Sequence, residues 1–361
     1  MALKAQLRKQ IFEFSFNART SRGAMKDKTS WFILLTDEAK SITGTGECGP
    51  LPGLSPELTE SFEATLNQLI AWINENHLQG LEHPNLQAAG KWVENNLAEQ
   101  FRSSSIIFAL ETALLDLATG GQKVLFDNSF RRGVPVPING LIWMGGLDFM
   151  LQQIEIKIRD GFTCLKLKVG SHDFEKECDV LQYIRRKYFR ENITIRLDAN
   201  GAFKPEEALD KLHRLARFEI HSIEQPLKPG HHSLPELCLQ SPIPIALDEE
   251  LIGVTGQQKK TELLHRVKPA YIILKPTLHG GLSGCAEWIE LAEKAGIGWW
   301  LTSALESNLG LNAIAQFTAN YPITIPQGLG TGMIYTNNLE GPLLVERGNL
   351  FADSGGSWAD F

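Results

Sequence analysis

A series of short apolar segments, each ending in a charged or hydroxylated residue, constrains the fold of this chain most strongly. The end residues are spaced 30, 26, 24, 27 and 28 residues apart, and they are Lys168, Asp198, Glu224, Asp248, Lys275 and Ser303. Amphipathic stretches fill the intervals, so each interval has the length of one β-strand and one α-helix. Repeated βα units form a parallel sheet, and about eight of them suggest a closed barrel. The pattern predicts an α/β fold built on a modified (β/α)8 barrel.

The barrel segments begin at about residue 134. The predicted strands are Val136–Trp143, Cys164–Gly170, Thr194–Asn200, Ser222–Leu227, Pro244–Glu249, Tyr271–Thr277, Trp299–Ser303 and Ile323–Ile325. The predicted helices between them include Phe174–Arg190, Pro205–Arg217, Gln257–Arg266, Leu282–Ala295 and Ser307–Asn320. No Gly-x-Gly-x-x-Gly motif follows a first strand, which weighs against a dinucleotide-binding fold.

The first 130 residues show an α+β pattern and are predicted to form a separate cap. The predicted strands are Ile11–Phe16, Trp31–Thr36 and Ser41–Glu47, and the predicted helices are Ser55–Asn76, Asn85–Asn95 and Ser103–Thr119. The polar stretch Asn17–Ser30, with Arg22 and Lys26, is predicted to be a loop, and such loops often carry function. The segment after residue 320 is expected to return to the cap. The predicted domains are therefore 1–130, 131–320 and 321–361.

Composition disfavours several functional classes. The net charge is −7 and no long basic stripe occurs, so nucleic acid is not an expected partner. Five scattered cysteines form no Cys-x-x-Cys motif, which suits reduced thiols in a cytoplasm. The N-terminus lacks the apolar core of a signal peptide. The longest uncharged run, Pro322–Leu339, is broken by Gly, Pro and Asn, so no membrane span is expected.

The segment Leu165–Gly170, LKLKVG, places two lysines on one strand face. Residues two apart on a strand point the same way, so Lys166 and Lys168 emerge side by side. For this strand alone, a solvent-facing pair is an equally good interpretation, because alternation is common. The charged ends of the neighbouring strands change that balance, since active sites of such barrels lie at the carboxyl ends of the strands.

Three carboxylates end adjacent strands between the two lysine-bearing strands. Asp198, Glu224 and Asp248 could each be a surface or capping group, but three in register favour a shared site. Carboxylate oxygens suit Mg²⁺, and the absence of a His or Cys cluster disfavours zinc. Lys168 and Lys275 flank this site. A cation between two bases suits proton abstraction next to a carboxylate, where the cation stabilises an enediolate.

Lys168 is the expected base of this arrangement. A free lysine is protonated at neutral pH, so its pKa must fall before it can accept a proton. The neighbouring Lys166 and the bound cation are expected to lower that pKa. Lys166 lies two residues before Lys168 on the same strand face, deeper in the barrel. It is predicted to adjust the pKa of Lys168 and to contact a substrate carboxylate.

These motifs resemble the enolase superfamily, specifically its muconate-lactonizing subgroup, over essentially the whole chain. That subgroup has Lys-x-Lys on the second barrel strand, Asp, Glu and Asp ligands on the third to fifth, and a Lys on the sixth. The resemblance implies a (β/α)7β barrel with an α+β capping domain formed by the N-terminus and the C-terminal tail. It implies Mg²⁺, with Mn²⁺ able to substitute, bound by Asp198, Glu224 and Asp248. It makes Lys168 and Lys275 the acid/base pair.

Four stretches are similar to the o-succinylbenzoate synthase family within this subgroup: GTGECGPLPGLSPE, IRLDANGAF, IILKPTLHGG and TSALESNLGL. That similarity implies syn dehydration of 2-succinyl-6-hydroxy-2,4-cyclohexadiene-1-carboxylate to 2-succinylbenzoate, in menaquinone or phylloquinone biosynthesis. Lys168 would remove the proton next to the ring carboxylate. Lys275 would stabilise the resulting anion, because a syn elimination needs only one acid/base residue.

Five further residues are expected to bind substrate or to support the site: Lys166, Arg196, Asn200, Glu249 and Ser303. Arg196 shares a strand face with Asp198, so it either lies beneath the metal or forms a structural ion pair. Asn200 is either a turn residue, because Asn-Gly is a turn signal, or a site residue. Strict alternation turns Glu249 away from the site, whereas the resemblance favours a position near Lys275.

Two features at the ends of later strands carry separate expectations. Ser303 is followed by a helix beginning at Ser307, and the free N–H groups at a helix N-terminus bind anions, so a succinyl carboxylate is expected there. Glu250, in LDEEL, stands where the resemblance has a small polar residue. It adds a negative charge close to the metal or just behind it.

Two alternative functions use the same sequence features differently. A dipeptide epimerase or N-acylamino acid racemase would use both lysines for proton exchange. Such enzymes usually carry an Asp-x-Asp-type motif late in the barrel, whereas residues 325–331, IPQGLGT, contain no acid. A non-catalytic barrel that binds partners through its cap would require all five charged strand-end residues to be accidental, so it is the weakest interpretation.

Overall fold

The computed structural model describes residues 2–20, 23–170, 173–353 and 356–359. Its N-terminal sheet contains three antiparallel strands, β1 (Lys4–Thr20), β2 (Gly23–Asp37) and β3 (Ile42–Cys48), in that spatial order. Three helices follow the sheet: α1 (Phe62–Glu75), α2 (Leu86–Asn96) and α3 (Ser104–Ala118). Helices α1 and α3 pack on the sheet, and α2 packs on α3. One apolar cluster, which includes Ile33, Leu66 and Leu110, joins the sheet to the helices.

The predicted loop at Asn17–Ser30 is wrong for the described residues of that stretch, which belong to β1 and β2. The two strands stay paired to the hairpin end, where Thr20 lies opposite Gly23, with one register irregularity on the way. Backbone hydrogen bonds extend these strands, and a polar side-chain pattern does not report such pairing. Arg22 lies outside the described residues, and Lys26 is exposed.

A parallel sheet forms the wall of the barrel and confirms the predicted fold class. The short strand β4 (Val136–Pro137) precedes seven parallel strands whose spatial order follows the chain. They are β5 (Gly140–Ile142), β6 (Cys164–Lys168), β7 (Thr194–Asp198), β8 (Ile220–Glu224), β9 (Ile245–Leu247), β10 (Tyr271–Leu274) and β11 (Gly298–Leu301).

The eighth strand position is a two-residue segment that joins the two edges of this sheet. Gln327 pairs with Ile138, and Gly328 pairs with Thr302, both in parallel. Four backbone hydrogen bonds of 2.7–3.0 Å hold the segment between its neighbours. The predicted strand at Ile323–Ile325 is therefore displaced, because so short a strand has no side-chain periodicity to reveal it.

Seven helices follow the barrel strands. They are α4 (Leu147–Arg159), α5 (Phe174–Lys187), α6 (Pro205–Ala216), α7 (Leu234–Gln240), α8 (Gln257–Val267), α9 (Gly281–Lys294) and α10 (Asn308–Thr318). The sequence analysis did not identify α4, which exposes Leu147, Phe149 and Ile156, or α7, which has only two turns. Within the described residues, no helix has both the length and the apolar character needed to cross a membrane.

The last part of the chain contacts both the cap and the barrel. The Tyr335 ring lies 5.2 Å from the Phe12 ring and 4.9 Å from the Phe14 ring, both on β1. Farther on, β12 (Leu343–Glu346) and β13 (Asn349–Ala352) form a hairpin that pairs with β4 at the start of the barrel. This final hairpin therefore lies on the barrel, because β4 offers it a strand edge. The domain limits 1–130, 131–320 and 321–361 stay predictions.

Candidate active site

The ends of the parallel strands bring five of the predicted residues to one mouth of the barrel. In the register of the sheet, Lys168 lies opposite Asp198, and Asp198 lies opposite Glu224. Asp248 directly follows β9, and Lys275 directly follows β10. The alternate residues of these strands are apolar and pack outward against the helices, which directs the charged residues inward.

Lys166 and Lys168 share the inner face of β6, and both contact Asp198. Lys166 Nζ lies 2.9 Å from Asp198 Oδ2 and forms a second ion pair with Glu224. Lys168 Nζ lies 2.7 Å from the same Asp198 oxygen and donates to Asn200 Oδ1 at 2.6 Å. The Lys166 side chain is 8% exposed and the Lys168 side chain 17%, so Lys168 is the more accessible of the two.

Lys275 approaches the carboxylates from the opposite side. Its Nζ pairs with Asp248 Oδ2 and lies 3.9 Å from Glu224 Oε1, whereas Lys166 contacts Glu224 Oε2. Glu224 therefore stands between a lysine of β6 and the lysine that follows β10. We call this contiguous cluster the ionic half of the mouth, and it comprises Lys166, Lys168, Asp198, Glu224, Asp248 and Lys275.

The carboxylates of the ionic half differ in how strongly they favour a negative charge. Burial opposes charge on Asp198, but its two lysine partners outweigh burial and hold its pKa well below the usual value. Burial also acts on Asp248, whose pKa is nevertheless lowered to about 2, mainly by Lys275. Burial and the charge of Asp198 raise the pKa of Glu224 well above its usual value. Of the three carboxylates, Glu224 is thus the one that least favours a negative charge in this arrangement.

The donor set of the ionic half fits a hard divalent cation. Glu224 Oε1 and Asp248 Oδ1 are buried and have no hydrogen-bond donor among the described residues. Unpaired buried oxygens are costly, and carboxylate oxygens are the preferred ligands of Mg²⁺. Across the described part of the chain, no group of three or more Asp, Glu, His or Cys side chains has the arrangement needed to hold a metal ion. Lysine ammonium groups lie among the carboxylates instead.

Asn200 has both the turn conformation and the site contacts that the sequence left as alternatives. Its φ is +44°, in the left-handed region that Asn tolerates. Its side chain accepts from Lys168 and donates to Glu249 Oε1 at 2.9 Å. Glu249 reaches the pocket because residues 249–251 form a 3₁₀ turn, in which strand alternation no longer applies.

Glu250 lies behind the carboxylates and braces the loop that follows β8. Its Oε2 accepts from Gly230 N at 2.8 Å and from Gln225 Nε2 at 3.5 Å. Its own backbone N–H donates to Gln225 Oε1 at 3.1 Å. Of the two positions that the sequence left open, close to the metal or just behind it, these contacts favour the second.

Arg196 lies beneath the ionic half and, among the described residues, has no carboxylate within ion-pair distance. Its Nη1 donates to the Pro326 carbonyl at 2.7 Å, and its guanidinium lies 4.1 Å from the centre of a Trp300 ring. Burial lowers its pKa. Of the two alternatives considered for Arg196, the structural ion pair is therefore wrong. Arg196 lies two residues before Asp198 on the same face of β7, so it adds a buried positive charge beneath the ionic half.

Ser303 lies in the pocket wall, but its hydroxyl is fully engaged. Ser303 Oγ donates to Glu306 Oε2 at 2.7 Å and accepts from Leu305 N at 3.0 Å and from Thr331 Oγ1 at 2.8 Å. A hydroxyl has one proton, so none remains for an anion. In this arrangement Ser303 fixes the position of Thr331 and of the loop that precedes α10.

The N-terminus of α10 is occupied by a carboxylate of the cap. Glu47 accepts from Ser307 N at 3.0 Å and from Gly310 N at 3.1 Å. Asn308 N donates to Asn338 Oδ1 at 2.9 Å, and the remaining amide of this turn bonds the Ser307 hydroxyl. The prediction that this helix binds a substrate anion is therefore wrong, because Glu47 already accepts from its first-turn amides.

Uncharged residues form the rest of the pocket wall. Leu51 and Leu54 approach from the cap, and Trp143 lies at the end of the first barrel segment. The remaining wall lies at the barrel closure, between β11 and β5. We call it the uncharged half of the mouth, and it comprises Asn139, Leu141, Thr302, Ser303 and Thr331.

The sequence analysis missed Asn139 as a pocket residue. Asn139, Leu141 and Trp143 are two apart and share the pocket-facing side, by the same rule that paired Lys166 with Lys168. Asn139 is 4% exposed, and its Oδ1 has no hydrogen-bond partner in the described ranges. The alternation along Val136–Trp143 was the available signal, but one neutral amide among apolar residues did not stand out.

Sequence comparison identifies the family. The family model described as Enolase C-terminal domain-like matches residues 150–355. The chain is also 43% identical to an o-succinylbenzoate synthase of Desulfotalea psychrophila, in an alignment covering 96% of this chain and 98% of that relative. The chain belongs to the enolase superfamily. The resemblance stated from the strand-end motifs is thereby confirmed.

Solved structures share the fold of this enolase-superfamily member. A crystal structure of MenC from Desulfotalea psychrophila LSv54 matches with a TM-score of 0.82 at 40% identity, over 97% of this chain and 100% of that one. A substrate-liganded L-Ala-D/L-Glu epimerase from Bacillus subtilis matches with a TM-score of 0.82 at 20% identity, over 99% and 98%. At that identity, the second match shows the shared fold alone.

Proposed function

We propose that this protein is an o-succinylbenzoate synthase, a lyase that converts 2-succinyl-6-hydroxy-2,4-cyclohexadiene-1-carboxylate to 2-succinylbenzoate and water. The observation that carries the proposal is the near full-length similarity to such an enzyme. The ionic half supports it, because two lysines there approach one carboxylate cluster from opposite sides. The product would enter menaquinone or phylloquinone biosynthesis.

Asp198, Glu224 and Asp248 would hold the divalent cation, which we propose to be Mg²⁺ with Mn²⁺ able to substitute. The cation, when bound, would supply positive charge that stabilises the dianion formed at the ring carboxylate. It would also take over charge neutralisation of the three carboxylates. Their hold on the lysine ammonium groups would then weaken, which favours a neutral lysine base.

Lys168 would carry the proton through the reaction. Its neutral amine takes the proton from the carbon next to the ring carboxylate, and the C–H electron pair passes into the carboxylate. The C–O bond then breaks, and the protonated Lys168 returns the proton to the departing hydroxide, which leaves as water. Lys275, on the opposite side, would stabilise the intermediate anion as a cation and exchange no proton.

The remaining predicted residues would support these two lysines. Lys166 would remain charged, since the surrounding carboxylates outweigh burial and raise its pKa, and it would attract a substrate carboxylate. Asn200 and Glu249 would orient Lys168 through the hydrogen bonds that link them. Arg196 would add positive potential from below. Ser303 would shape the uncharged half through Thr331.

The charges of the proposed ligands match the site. With every group ionised, the four cations Lys166, Lys168, Lys275 and Arg196 equal in number the four carboxylates Asp198, Glu224, Asp248 and Glu249. A divalent cation and a substrate with two carboxylates therefore add no net charge to this buried region. Because uncompensated buried charge is costly, this balance favours a dianionic small molecule over a neutral or polyanionic ligand such as nucleic acid.

We also propose a cytoplasmic location. The five cysteines are free thiols in the structure, and four of them are buried. Free thiols are the usual state in a reducing compartment.

The test is to offer the cyclohexadiene acid to the purified protein and to follow aromatisation by ultraviolet absorbance. We expect rapid conversion to 2-succinylbenzoate. The alternative is a dipeptide epimerase or N-acylamino acid racemase that uses the same lysines. The same protein sample is therefore incubated in D₂O with L-Ala-L-Glu and with an N-acylamino acid, and α-deuterium is measured by NMR. No aromatisation together with deuterium incorporation would support the alternative.

A further inference from the structure

The loop that carries Lys275 is a rigid unit closed by its own hydrogen bonds. Lys275 N–H donates to His279 Nδ1 at 2.9 Å, and the Lys275 carbonyl accepts from Leu278 N at 2.8 Å and from His279 N at 2.9 Å. The His279 ring accepts the bond from Lys275 N–H at Nδ1, so its own proton is on Nε2. Both backbone groups of Lys275 are therefore fixed to the segment that leads into α9.

Two side chains of α3, a helix of the cap, hold the other end of this loop. Ser104 Oγ donates to the Leu278 carbonyl at 3.0 Å and accepts from Gly280 N at 3.0 Å. Glu111 accepts from Leu282 N at 2.6 Å and from Ser283 N at 3.2 Å, and it also bonds the Ser283 hydroxyl. The cap is thus hydrogen-bonded to the start of α9, which begins six residues after Lys275.

Glu111 is an expensive residue to bury. Its side chain is fully buried, and among the described residues no cation acts on its charge. Burial raises its pKa to about 7 even though three donors face it. Gly281, with φ +75°, allows this contact, because a Cβ there would lie 2.5 Å from Glu111 Oε2. Stability alone is a weak reason to keep such a group, since apolar replacements of buried charges are often neutral or stabilising.

Glu47 makes a similar contact one βα unit later. It also belongs to the cap, is fully buried and accepts from the first-turn amides of a barrel helix. That helix is α10, which follows Ser303 and the uncharged half of the mouth. The cap therefore holds two successive barrel helices by buried carboxylates, one behind the ionic half and one behind the uncharged half.

We propose that Glu111 is a positioning residue for Lys275, acting through α9 and the 275–283 loop, so that contact with the cap sets the geometry of the second lysine. This inference rests on the proposed role of Lys275 in stabilising the reaction's anion. It does not depend on which carboxylate is the substrate. Glu111 contacts neither the pocket nor the ionic half, so its effect must pass through the loop.

The first experiment compares Glu111→Met with Glu111→Gln by steady-state kinetics. Glu111→Met keeps the side-chain length but removes both carboxylate oxygens. We expect kcat to fall about 10-fold or more, since small displacements of a reacting group cost that much. KM should change by less than about 3-fold, because the pocket wall is untouched. Glu111→Gln retains an oxygen for the α9 amides and should restore kcat to within about 3-fold of the wild type.

Glu47→Met is the matched control. It removes a buried cap carboxylate of the same kind from α10, so it should cost similar stability in thermal unfolding. Because α10 supports the uncharged half, we expect KM to rise and kcat to stay within about 3-fold of the wild type. Ser104→Ala is a second, milder variant, because it removes the other hydrogen bonds between α3 and the loop that carries Lys275. Its kcat should fall while its unfolding temperature barely changes.

Three results would overturn the inference. One is a Glu111→Met kcat within about 2-fold of the wild type, and another is an equal loss of kcat in Glu111→Met and Glu47→Met. If Glu111→Met does not fold, an unchanged kcat in Ser104→Ala overturns it instead. Wild-type turnover tests the proposed reaction separately. If the wild type exchanges α-protons but does not aromatise the diene acid, the same variants are measured by that exchange.

Discussion

The two halves of the barrel mouth differ in charge, in how visible they are in the sequence and in the reaction step that each would serve. The ionic half concentrates three lysines and three carboxylates at the ends of β6 to β10. The uncharged half, at the barrel closure, presents an amide, hydroxyls and a leucine. Under the proposed function, proton transfer and anion stabilisation would belong to the ionic half, and the uncharged half would shape and hold the rest of the substrate.

The largest expected effects come from removing the lysines that face the pocket. Lys168→Ala should lower kcat about 10³-fold or more, because it removes the group that carries the proton. Lys275→Ala should lower kcat about 10²-fold or more, by loss of the cation that faces the anion. The control is Lys26→Ala, on the exposed hairpin. Circular dichroism should show folded protein in all three, and full turnover by either site variant contradicts the assigned roles.

A substitution in the uncharged half should affect binding more than chemistry. Asn139→Leu replaces the buried pocket amide by an apolar group of similar size. We expect KM to rise about 10-fold with kcat within about 3-fold of the wild type, since the lost interaction is present in substrate and transition state alike. A matched variant is Asn128→Leu, which removes a buried amide that does not line the pocket. The distinction between the halves fails if Asn139→Leu lowers kcat and leaves KM unchanged.

The support behind the ionic half should make stability depend on pH. The pKa of Glu111 rises from 4.5 in the unfolded chain to about 7 in the fold, so the folded state holds this proton more tightly. Between those pH values the folded state binds more protons, and its stability falls as pH rises. Glu111→Gln removes the titrating carboxyl group and with it this pH-dependent contribution to stability. Its stability relative to the wild type, from urea unfolding, should therefore increase between pH 4.5 and 7 and level off above, and a constant difference would contradict the assignment.

The smallest expected effect is at Glu250, which lies behind the ionic half without belonging to it. Glu250→Ser removes the acceptor of Gly230 N, and we expect a loss of about 1–2 kcal/mol in the free energy of unfolding. The Mg²⁺ concentration for half-maximal turnover should change less than about 3-fold, because the Glu250 carboxylate bonds Gly230 and Gln225 and none of the proposed ligand side chains. A tenfold change in that concentration would place Glu250 within the metal site.

Much of the ionic half was predictable because a charge at the end of an apolar strand is easy to recognise. Lys168, Asp198 and Glu224 recur at one βα interval, and the parallel register then places them side by side. The uncharged half was not predictable in the same way. Asn139 resembles an ordinary strand residue, and the closure at Gln327 and Gly328 is too short to show a period.

Long-range hydrogen-bond partners were the other feature that could not be predicted from the sequence. Ser303 and the start of α10 were expected to bind an anion, but a hydroxyl and a helix end bind external anions only if the chain leaves them free. Glu47 is 260 residues from Ser307 in the sequence, and no local pattern links the two. The long β1–β2 hairpin was missed for a related reason, since backbone pairing determines it and side-chain polarity does not.

The most direct test of the central claim is a Mg²⁺ titration of EDTA-treated protein while aromatisation of the cyclohexadiene acid is followed by ultraviolet absorbance. The ionic half is proposed to act only with a divalent cation among Asp198, Glu224 and Asp248. We therefore expect no absorbance change in EDTA and a saturable return of turnover as Mg²⁺ is added. Turnover at the same rate in EDTA would contradict the account.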